Sequence, residues 1–220
     1  MKPITIHEVN KETLEELGRA SVQVVHDLKN QLNGLKLYAT FLRKRLQRSE
    51  TAATDELETI DKLMAGLERA TADATVLVHY GRPLELKRLG QTNIRKLLQT
   101  IVDENELTVT ADAGEATGSY DVALLSEALR YVTARARAAS DAKTVSVSVK
   151  LEAAANEGDA AARVACIEWR DVHIGVDENP FASFIGGVGL RLALARRIVL
   201  AHGGAVNHTP DSLVAQIPVA

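Results

Sequence analysis

The chain has 220 residues, which is enough for one large domain or two small ones. Its 26 basic and 29 acidic side chains give a net charge of −3, so no basic surplus indicates a nucleic-acid partner. Cys166 is the only cysteine, which excludes an internal disulfide framework. No apolar run is long enough to cross a bilayer, and the N-terminus lacks the apolar core of a signal peptide. The sequence therefore predicts a cytoplasmic protein without a membrane partner.

A long amphipathic helix is predicted from about Lys11 to Gln47. Its apolar residues step by threes and fours, as on one helical stripe, and they are Leu14, Leu17, Val25, Leu28, Leu32, Leu35, Ala39, Leu42 and Leu46. His26 lies one residue beyond this stripe, and Asn30 and Asn33 follow it at i+4 and i+7 on the same flank. The pattern predicts an imidazole on the solvated side of a packed helix, open to chemistry with a second protein.

A second helix is predicted after the polar turn 48–54, with Thr54 or Asp55 as its N-cap. Its apolar stripe consists of Leu57, Ile60, Met64, Leu67, Thr71, Ala74 and Val78. The two helices would form an antiparallel hairpin, which cannot cover both of its apolar faces alone. Pairing with a second copy would cover them, so residues 1–80 are expected to form a homodimeric four-helix bundle.

A second domain, residues 84–220, is predicted after the helix-breaking sequence Gly81-Arg82-Pro83. The periodicity predicts, in chain order, a strand over 84–89, a helix from Thr92 or Asn93 to Glu104, a strand over 107–111, a helix over 121–139, strands over 144–151 and 163–170, a helix over 189–201 and two strands after Ala205. Cys166 is expected at a buried strand position. The predicted fold class is a two-helix hairpin followed by an α/β sandwich.

The segment Val25-His26-Asp27-Leu28-Lys29-Asn30 resembles the H-box of bacterial histidine kinases. In that box a histidine, an acidic residue, two variable residues and an Asn or Thr follow one another, so His26, Asp27 and Asn30 match. Gln31 stands where the family usually has Pro, and it keeps the helix straight. The resemblance implies that His26 is a phosphoacceptor in a homodimer whose partner is a response-regulator receiver domain. Asp27 would orient the ring or accept its proton.

The second half resembles the ATP-binding domain of histidine kinases. Gly186-Gly187-Val188-Gly189-Leu190, a helix and His202-Gly203-Gly204 follow in the family's order. Glycines before a helix allow close backbone approach and direct N–H groups at phosphate. The resemblance further matches Asp171 to the carboxylate that accepts from the adenine amino group, and Gly175 to a glycine of the same box. It implies a vestigial nucleotide site at Asp171, Gly175, Gly187 and Gly189.

The second half also departs from the family. His173 replaces a glycine, and its side chain is expected to crowd the floor of a nucleotide pocket. Alignment on the leucines of residues 125–136 puts Tyr131 and Arg135 at the positions of paired asparagines, one of which holds Mg²⁺ in the family. A guanidinium has only donors and repels the cation. The lid segment 176–186 is short, and we interpret Phe181 and Phe184 in it as core residues rather than as remnants of an F-box.

Four functions are compared for these residues. The first, which the sequence favours, is a histidine phosphotransferase that passes a phosphoryl group through His26 and needs no cofactor of its own. The second is an ATP-dependent histidine kinase, which would use Mg²⁺-ATP, and the third is a phosphatase or non-catalytic regulator. The fourth, of a different class, is a dimeric coiled-coil adaptor without phosphorylation, which leaves the trio His26, Asp27 and Asn30 unexplained. No histidine or cysteine spacing is typical of a zinc site.

Overall fold

The structure, a computed structural model, describes residues 6–47, 54–88, 90–103, 108–111, 116–140, 145–153, 163–175, 179–182 and 186–220. The chain divides into two compact units, Met1–Pro83 and Leu84–Ala220. Among the described residues, no helix has both the length and the apolar character that crossing a membrane requires.

The first unit contains two long helices, α1 (Ile6–Gln47) and α2 (Thr54–Gly81). Lys36 pairs with Glu68 at 2.8 Å and Arg43 pairs with Asp61 at 3.1 Å, so positions ascending in α1 meet positions descending in α2. The helices are therefore antiparallel, as predicted. These ion pairs are exposed and add little stability, but they define the helix face that α1 turns toward α2.

The predicted apolar stripe of α1 divides between two faces. Leu32, Ala39 and Leu46 share the face of Lys36 and Arg43, and they are half-buried or buried. The other members that lie at heptad spacing remain 48–53% exposed, namely Leu28, Leu35 and Leu42. The predicted stripe of α2 is half-buried or buried over its whole length. One hairpin therefore buries only part of its apolar surface.

The second unit contains, in chain order, β1 (Gln91–Asn93), α3 (Ile94–Asp103), β2 (Thr108–Ala111), β3 (Thr117–Ser119), α4 (Val122–Ala138), β4 (Ser146–Ala153), β5 (Arg163–Arg170), α5 (Gly186–Ala201), β6 (Ala205–Thr209) and β7 (Ser212–Val219). Five strands form a sheet in the order β2-β4-β5-β7-β6, in which β2 and β4 are parallel and the other neighbours are antiparallel. Strands β1 and β3 pair separately. This arrangement confirms the α/β sandwich.

One face of the sheet is the core of the second unit. In β5, Ala165, Ile167 and Trp169 are fully buried, because alternate strand residues point to the same face. The Trp169 ring nitrogen donates a hydrogen bond of 3.0 Å to the Thr133 hydroxyl oxygen, which fixes α4 on this face. Cys166 lies on the opposite face and is only half-buried, so the expected buried position was wrong. Partial burial raises the pKa of its thiol.

Side-chain caps begin two of the helices. Asn93 accepts hydrogen bonds from the N–H groups of Arg95 and Lys96 at 2.9 and 3.3 Å, as the sequence predicted for the start of α3. Asp121 caps α4 by accepting from the Leu124 N–H at 3.1 Å. Burial acts to raise the pKa of Asp121, but backbone donors including Leu124 outweigh it and lower that pKa. Asp121 is therefore an ionised cap at neutral pH.

Four elements differ from the sequence-based expectation. Residues 84–88 form no strand, because the Lys87 N–H donates to the Asp121 carboxylate at 2.9 Å rather than to a neighbouring strand. Strands β1 and β3 were not predicted, since three residues are too few to show an alternation. Helix α5 begins at Gly186 instead of Gly189, so the glycines of the expected loop belong to the first turn of the helix.

The sequence His202-Gly203-Gly204 joins α5 to β6, and each of its three residues is in a position that tolerates few substitutions. His202 is buried, its Nε2 accepts from the Asp121 N–H at 3.1 Å, and its Nδ1 lies 2.8 Å from the Ile198 carbonyl oxygen. Both contacts are satisfied by the neutral ring that carries its proton on Nδ1. Gly203 has a φ of 81°, and a Cβ atom on Gly204 would collide with a backbone oxygen of β7.

We expect His202→Ala to lower the free energy of unfolding by about 2–4 kcal/mol, because it leaves a buried N–H without a partner and opens a cavity. Urea unfolding of the full chain measures this change. His208→Ala is the matched control, since His208 is only half-buried in β6, and it should cost less than about 1 kcal/mol. Equal losses for the two variants would contradict the structural role of His202.

Candidate functional site

His26 lies on α1 with its side chain half-buried. Asn30 follows one helical turn later, and its Nδ2 is 3.5 Å from Nδ1 of the His26 ring. This distance is at the outer limit of a hydrogen bond, so Asn30 sits beside the ring without holding it rigidly. Asp27 belongs to the same helix, and its side chain lies outside the described part of the structure.

The Asn30 amide can support either tautomer of the His26 ring. When its nitrogen donates to Nδ1, the ring proton is on Nε2. When the amide is rotated, its oxygen accepts from Nδ1–H and the lone pair of the ring is on Nε2. Only the second arrangement leaves a ring nitrogen, Nε2, whose lone pair is not engaged by Asn30, and that nitrogen can act as a nucleophile.

Apolar side chains extend the flank of His26 along α1. Asn33 is exposed, and beyond it Leu37 is 70% and Phe41 is 67% exposed. The five residues His26, Asn30, Asn33, Leu37 and Phe41 are spaced by three or four positions, so they form one stripe of the helix, which we call the His26 stripe. The sequence analysis did not identify Leu37 and Phe41, because they lie outside the predicted apolar stripe of α1. Their spacing from His26 is the signal that indicates them.

A cavity of about 550 Å³ opens between α4 and α5 of the second unit. It is lined by three arginines, a tyrosine and small apolar residues, and we call it the arginine cavity: Arg130, Tyr131, Ala134, Arg135, Ala138, Val188 and Arg191. Its volume is typical of small-ligand sites. The sequence had singled out Tyr131 and Arg135, but it gave no sign that Arg130 and Arg191 would meet them.

Tyr131 is fixed at the arginine cavity by a hydrogen bond. Its hydroxyl donates to the Glu127 carboxylate at 2.7 Å, one helical turn earlier on α4. Burial raises the pKa of the Tyr131 hydroxyl, and the hydrogen bond and charge of Glu127 raise it further, while the nearby Arg191 lowers it. The hydroxyl therefore stays protonated at neutral pH and remains a donor to Glu127.

The arginine cavity does not fit a magnesium ion. Mg²⁺ requires a near-octahedral set of oxygen ligands, which proteins supply mainly through carboxylates and carbonyls. None of the described side chains that line the cavity carries a carboxylate or an amide oxygen, and Arg135 places a cation there instead. Elsewhere in the described residues, no group of three or more His, Cys, Asp or Glu side chains is placed to hold a metal.

The residues predicted for a nucleotide site are not among those that line the arginine cavity. Asp171 and Gly175 are exposed on the segment that follows β5. Asp171 has a φ of 62°, a left-handed conformation that Asp tolerates better than most residues. Gly187 and Gly189 are in the first turn of α5 on either side of Val188, which does line the cavity. Their role in binding stays a prediction.

The side chain of His173 is exposed and is not part of the cavity lining, contrary to the expectation that it would crowd a nucleotide pocket. Val172 and Ile174 on either side are buried, so the alternation of an extended segment turns His173 outward. The His173 N–H also donates to the Ala139 carbonyl oxygen at 2.8 Å, which ties the segment to the end of α4. Phe181 is buried, as the core interpretation predicted, and Phe184 lies outside the described residues.

No protein-family model matches the sequence, and no curated protein matches it. The structure is similar to full-length ShkA in complex with AMPPNP, with a TM-score of 0.64 and 18% identity over 90% of this chain and 45% of that chain. The chain thus spans about half the length of ShkA. The Acinetobacter baumannii histidine kinase AdeS aligns with a TM-score of 0.49 and 16% identity over 82% of this chain and 93% of that chain. The mycobacterial sensor histidine kinase MprB aligns with a TM-score of 0.44 and 17% identity over 59% of this chain and 97% of that chain. The chain is therefore histidine kinase-like in its fold.

Proposed function

We propose that the chain is a histidine phosphotransferase of a two-component relay, which passes a phosphoryl group through His26 to or from receiver-domain aspartates. The observation that carries the proposal is the arginine cavity, which by the resemblance is where a kinase holds Mg²⁺-ATP: Arg135 lies in its wall, and its described side chains offer no carboxylate or amide oxygen for the metal. His26, in contrast, lies on an accessible helix flank beside Asn30.

The chemistry requires only the His26 ring and a phosphorylated receiver. A ring nitrogen with a free lone pair attacks the phosphorus atom of the aspartyl phosphate, so that a nitrogen–phosphorus bond forms while the bond from phosphorus to the carboxylate oxygen breaks. The carboxylate of the receiver is the leaving group. The proton on the other ring nitrogen is held by Asn30 or accepted by Asp27. The reverse reaction passes the group to a second receiver, and the receiver supplies the Mg²⁺ that this transfer needs.

The His26 stripe is proposed as the surface that a receiver contacts. Leu37 and Phe41 expose apolar surface on the same flank as His26, within about 23 Å along the helix axis. Exposed apolar residues beside a reactive group are typical of a protein–protein contact. A receiver seated on Leu37 and Phe41 would bring its aspartate toward the His26 ring.

A homodimer is proposed through the opposite side of α1. Leu28, Leu35 and Leu42 repeat at heptad spacing and remain exposed in the single chain. Leu63 and Leu77 of α2 are 53% and 39% exposed and are separated by two heptads. A second copy of the hairpin would cover both rows in a four-helix bundle, with one His26 per subunit.

An ATP-dependent kinase is the alternative, and the similarity to the AMPPNP complex of ShkA is the observation that favours it. Labelled ATP with Mg²⁺ and, separately, a receiver labelled on its aspartate distinguish the two functions. We expect label on His26 only from the receiver. Arg135→Asn alone should not permit labelling by ATP, because Tyr131 remains in the cavity wall. Efficient labelling by Mg²⁺-ATP in the unaltered chain would establish the kinase instead.

A further inference from the structure

Asp121 holds the segment through which the chain enters the second unit. One oxygen of its carboxylate, Oδ2, accepts the Lys87 N–H at 2.9 Å. The other oxygen, Oδ1, accepts the Leu124 N–H at 3.1 Å and caps α4. The Asp121 N–H donates to Nε2 of His202 at 3.1 Å. One buried aspartate therefore joins Lys87 to the start of α4 and to the turn that follows α5.

The segment 84–88 is otherwise packed loosely. It forms neither helix nor strand, its charged residues are exposed, and Leu84 and Leu86 are only half-buried. Regular structure begins at β1, where Gln91 pairs with Ser119 of β3. A segment with few buried apolar contacts and an exposed backbone opens at low cost. The hydrogen bond to Asp121 can therefore break while the helices and sheets of the unit remain formed.

The position of this hydrogen bond decides how much chain can extend between the two units. Helix α2 ends at Gly81, and with the bond made the first fixed point of the second unit is Lys87. An extended chain then spans at most about 20 Å from Gly81 to Lys87. With the bond broken, the first fixed point is Gln91 in β1, and the same arithmetic gives at most about 35 Å from Gly81.

We propose that Asp121 and the Lys87 N–H form a latch that sets the length of the tether between the two units. The effective concentration of one tethered unit at the other depends on tether length, so the latch regulates how often the second unit and the hairpin meet. A hydrogen bond to a charged group shifts an equilibrium by about ten- to a hundredfold. The latch is therefore mostly closed, with a minor open population.

Hydrogen exchange of the Lys87 amide in the full chain measures the latch. Asp121→Asn is selective, because asparagine caps helices as well as aspartate does but has one acceptor oxygen instead of two. We expect it to accelerate exchange at Lys87 by about ten- to a hundredfold. Asn93→Ala is the matched control, since it removes the cap of α3 and leaves Asp121 in place. It should change exchange at Lys87 less than about threefold. Unchanged exchange in Asp121→Asn, or equal acceleration in the control, would overturn the latch.

Distances between two spin labels measure the tether. The labels are attached at Arg69 of α2 and Lys96 of α3, which are both exposed, in the full chain with Cys166→Ser. Excess unlabelled chain ensures that any dimer contains one labelled copy. Lys87→Pro opens the latch from the other side, because proline has no N–H group. Glu85→Pro is its matched control, since it stiffens the same segment and retains the Lys87 N–H.

We expect Asp121→Asn and Lys87→Pro each to extend the long-distance limit of the label distribution by up to about 15 Å, and Glu85→Pro to leave it unchanged. Equal distributions in all proteins would overturn the tether role even if exchange at Lys87 accelerates. An equal extension in both proline variants would overturn the assignment to the Lys87 N–H.

The latch goes beyond the phosphotransferase function and does not depend on it. Asp121 and Lys87 both lie in the second unit, whereas His26 lies in the first. His26→Ala should therefore leave both measurements unchanged. Failure of transfer through His26 would disprove the function alone, and an absent latch would disprove this inference alone.

Discussion

His26→Ala should reduce labelling by a phosphorylated receiver to background while the protein remains folded and dimeric. The reason is that the substitution removes the nitrogen to which phosphorus bonds, and a methyl group offers no replacement nucleophile. The position is only half-buried, so we expect a change in the free energy of unfolding of less than about 1 kcal/mol. Phosphoryl transfer from a receiver labelled on its aspartate measures the first effect, and urea unfolding measures the second.

His79→Ala is the matched control for this experiment. His79 is exposed near the end of α2 in the same unit, so it is more accessible to solvent than His26 but does not have the neighbouring amide of Asn30. We expect transfer to the His79 variant to stay within about twofold of the unaltered chain. Persistent label on the His26→Ala protein, or loss of label in the His79→Ala protein, would contradict the proposed phosphoacceptor.

Leu35→Glu should dissociate the proposed dimer. Burial of one leucine side chain contributes about 1.5–3 kcal/mol, and a twofold interface contains each substitution twice. The expected loss of about 3–6 kcal/mol corresponds to an increase in the dimer Kd of roughly a hundredfold to ten-thousandfold. Sedimentation equilibrium across a range of concentrations measures this change. A stable monomer for the unaltered chain at micromolar concentration would contradict the bundle before any substitution is made.

Leu37→Glu tests whether the proposed receiver surface and the proposed dimer surface of α1 are distinct. Leu37 is only two positions from Leu35 and is more exposed, yet residues at this spacing point to nearly opposite sides of a helix. We expect Leu37→Glu to leave the dimer intact and to slow transfer from the receiver by about tenfold, because it places a charge in the apolar part of the His26 stripe. Dissociation by both substitutions to the same degree would show that the two rows are not separate surfaces.

Periodicity predicted the fold well wherever burial sets the pattern over many residues. The helices of the hairpin were predicted because their apolar residues recur every three or four positions over several turns. Strand β4 was predicted because its apolar and polar residues alternate strictly. The segment 84–88 alternates in the same way but forms no strand, since its Lys87 N–H is bound by the cap of α4. An alternation of apolar and polar residues indicates which side chains are buried, but it does not indicate which acceptor binds each backbone N–H group.

The candidate site was predictable only where its residues are close in sequence. His26 and Asn30 are one helical turn apart, so spacing alone placed them together, and the structure does so at 3.5 Å. The arginine cavity joins Arg130 and Arg135 to Arg191 across more than fifty residues. Only the packing of α4 against α5 brings them together, and a single sequence contains no signal for that contact.

The structure of the turn at residues 202–204 accounts for the His-Gly-Gly sequence without a bound nucleotide. His-Gly-Gly is part of the resemblance to ATP-binding domains, yet here each of the three residues is explained by the architecture alone. His202 joins the end of one helix to the cap of another, Gly203 adopts a backbone conformation that side chains disfavour, and Gly204 has no room for a side chain. Changing any of them would cost stability whether or not the domain binds a nucleotide. The tripeptide is therefore required by the fold, and its presence is no evidence for nucleotide chemistry.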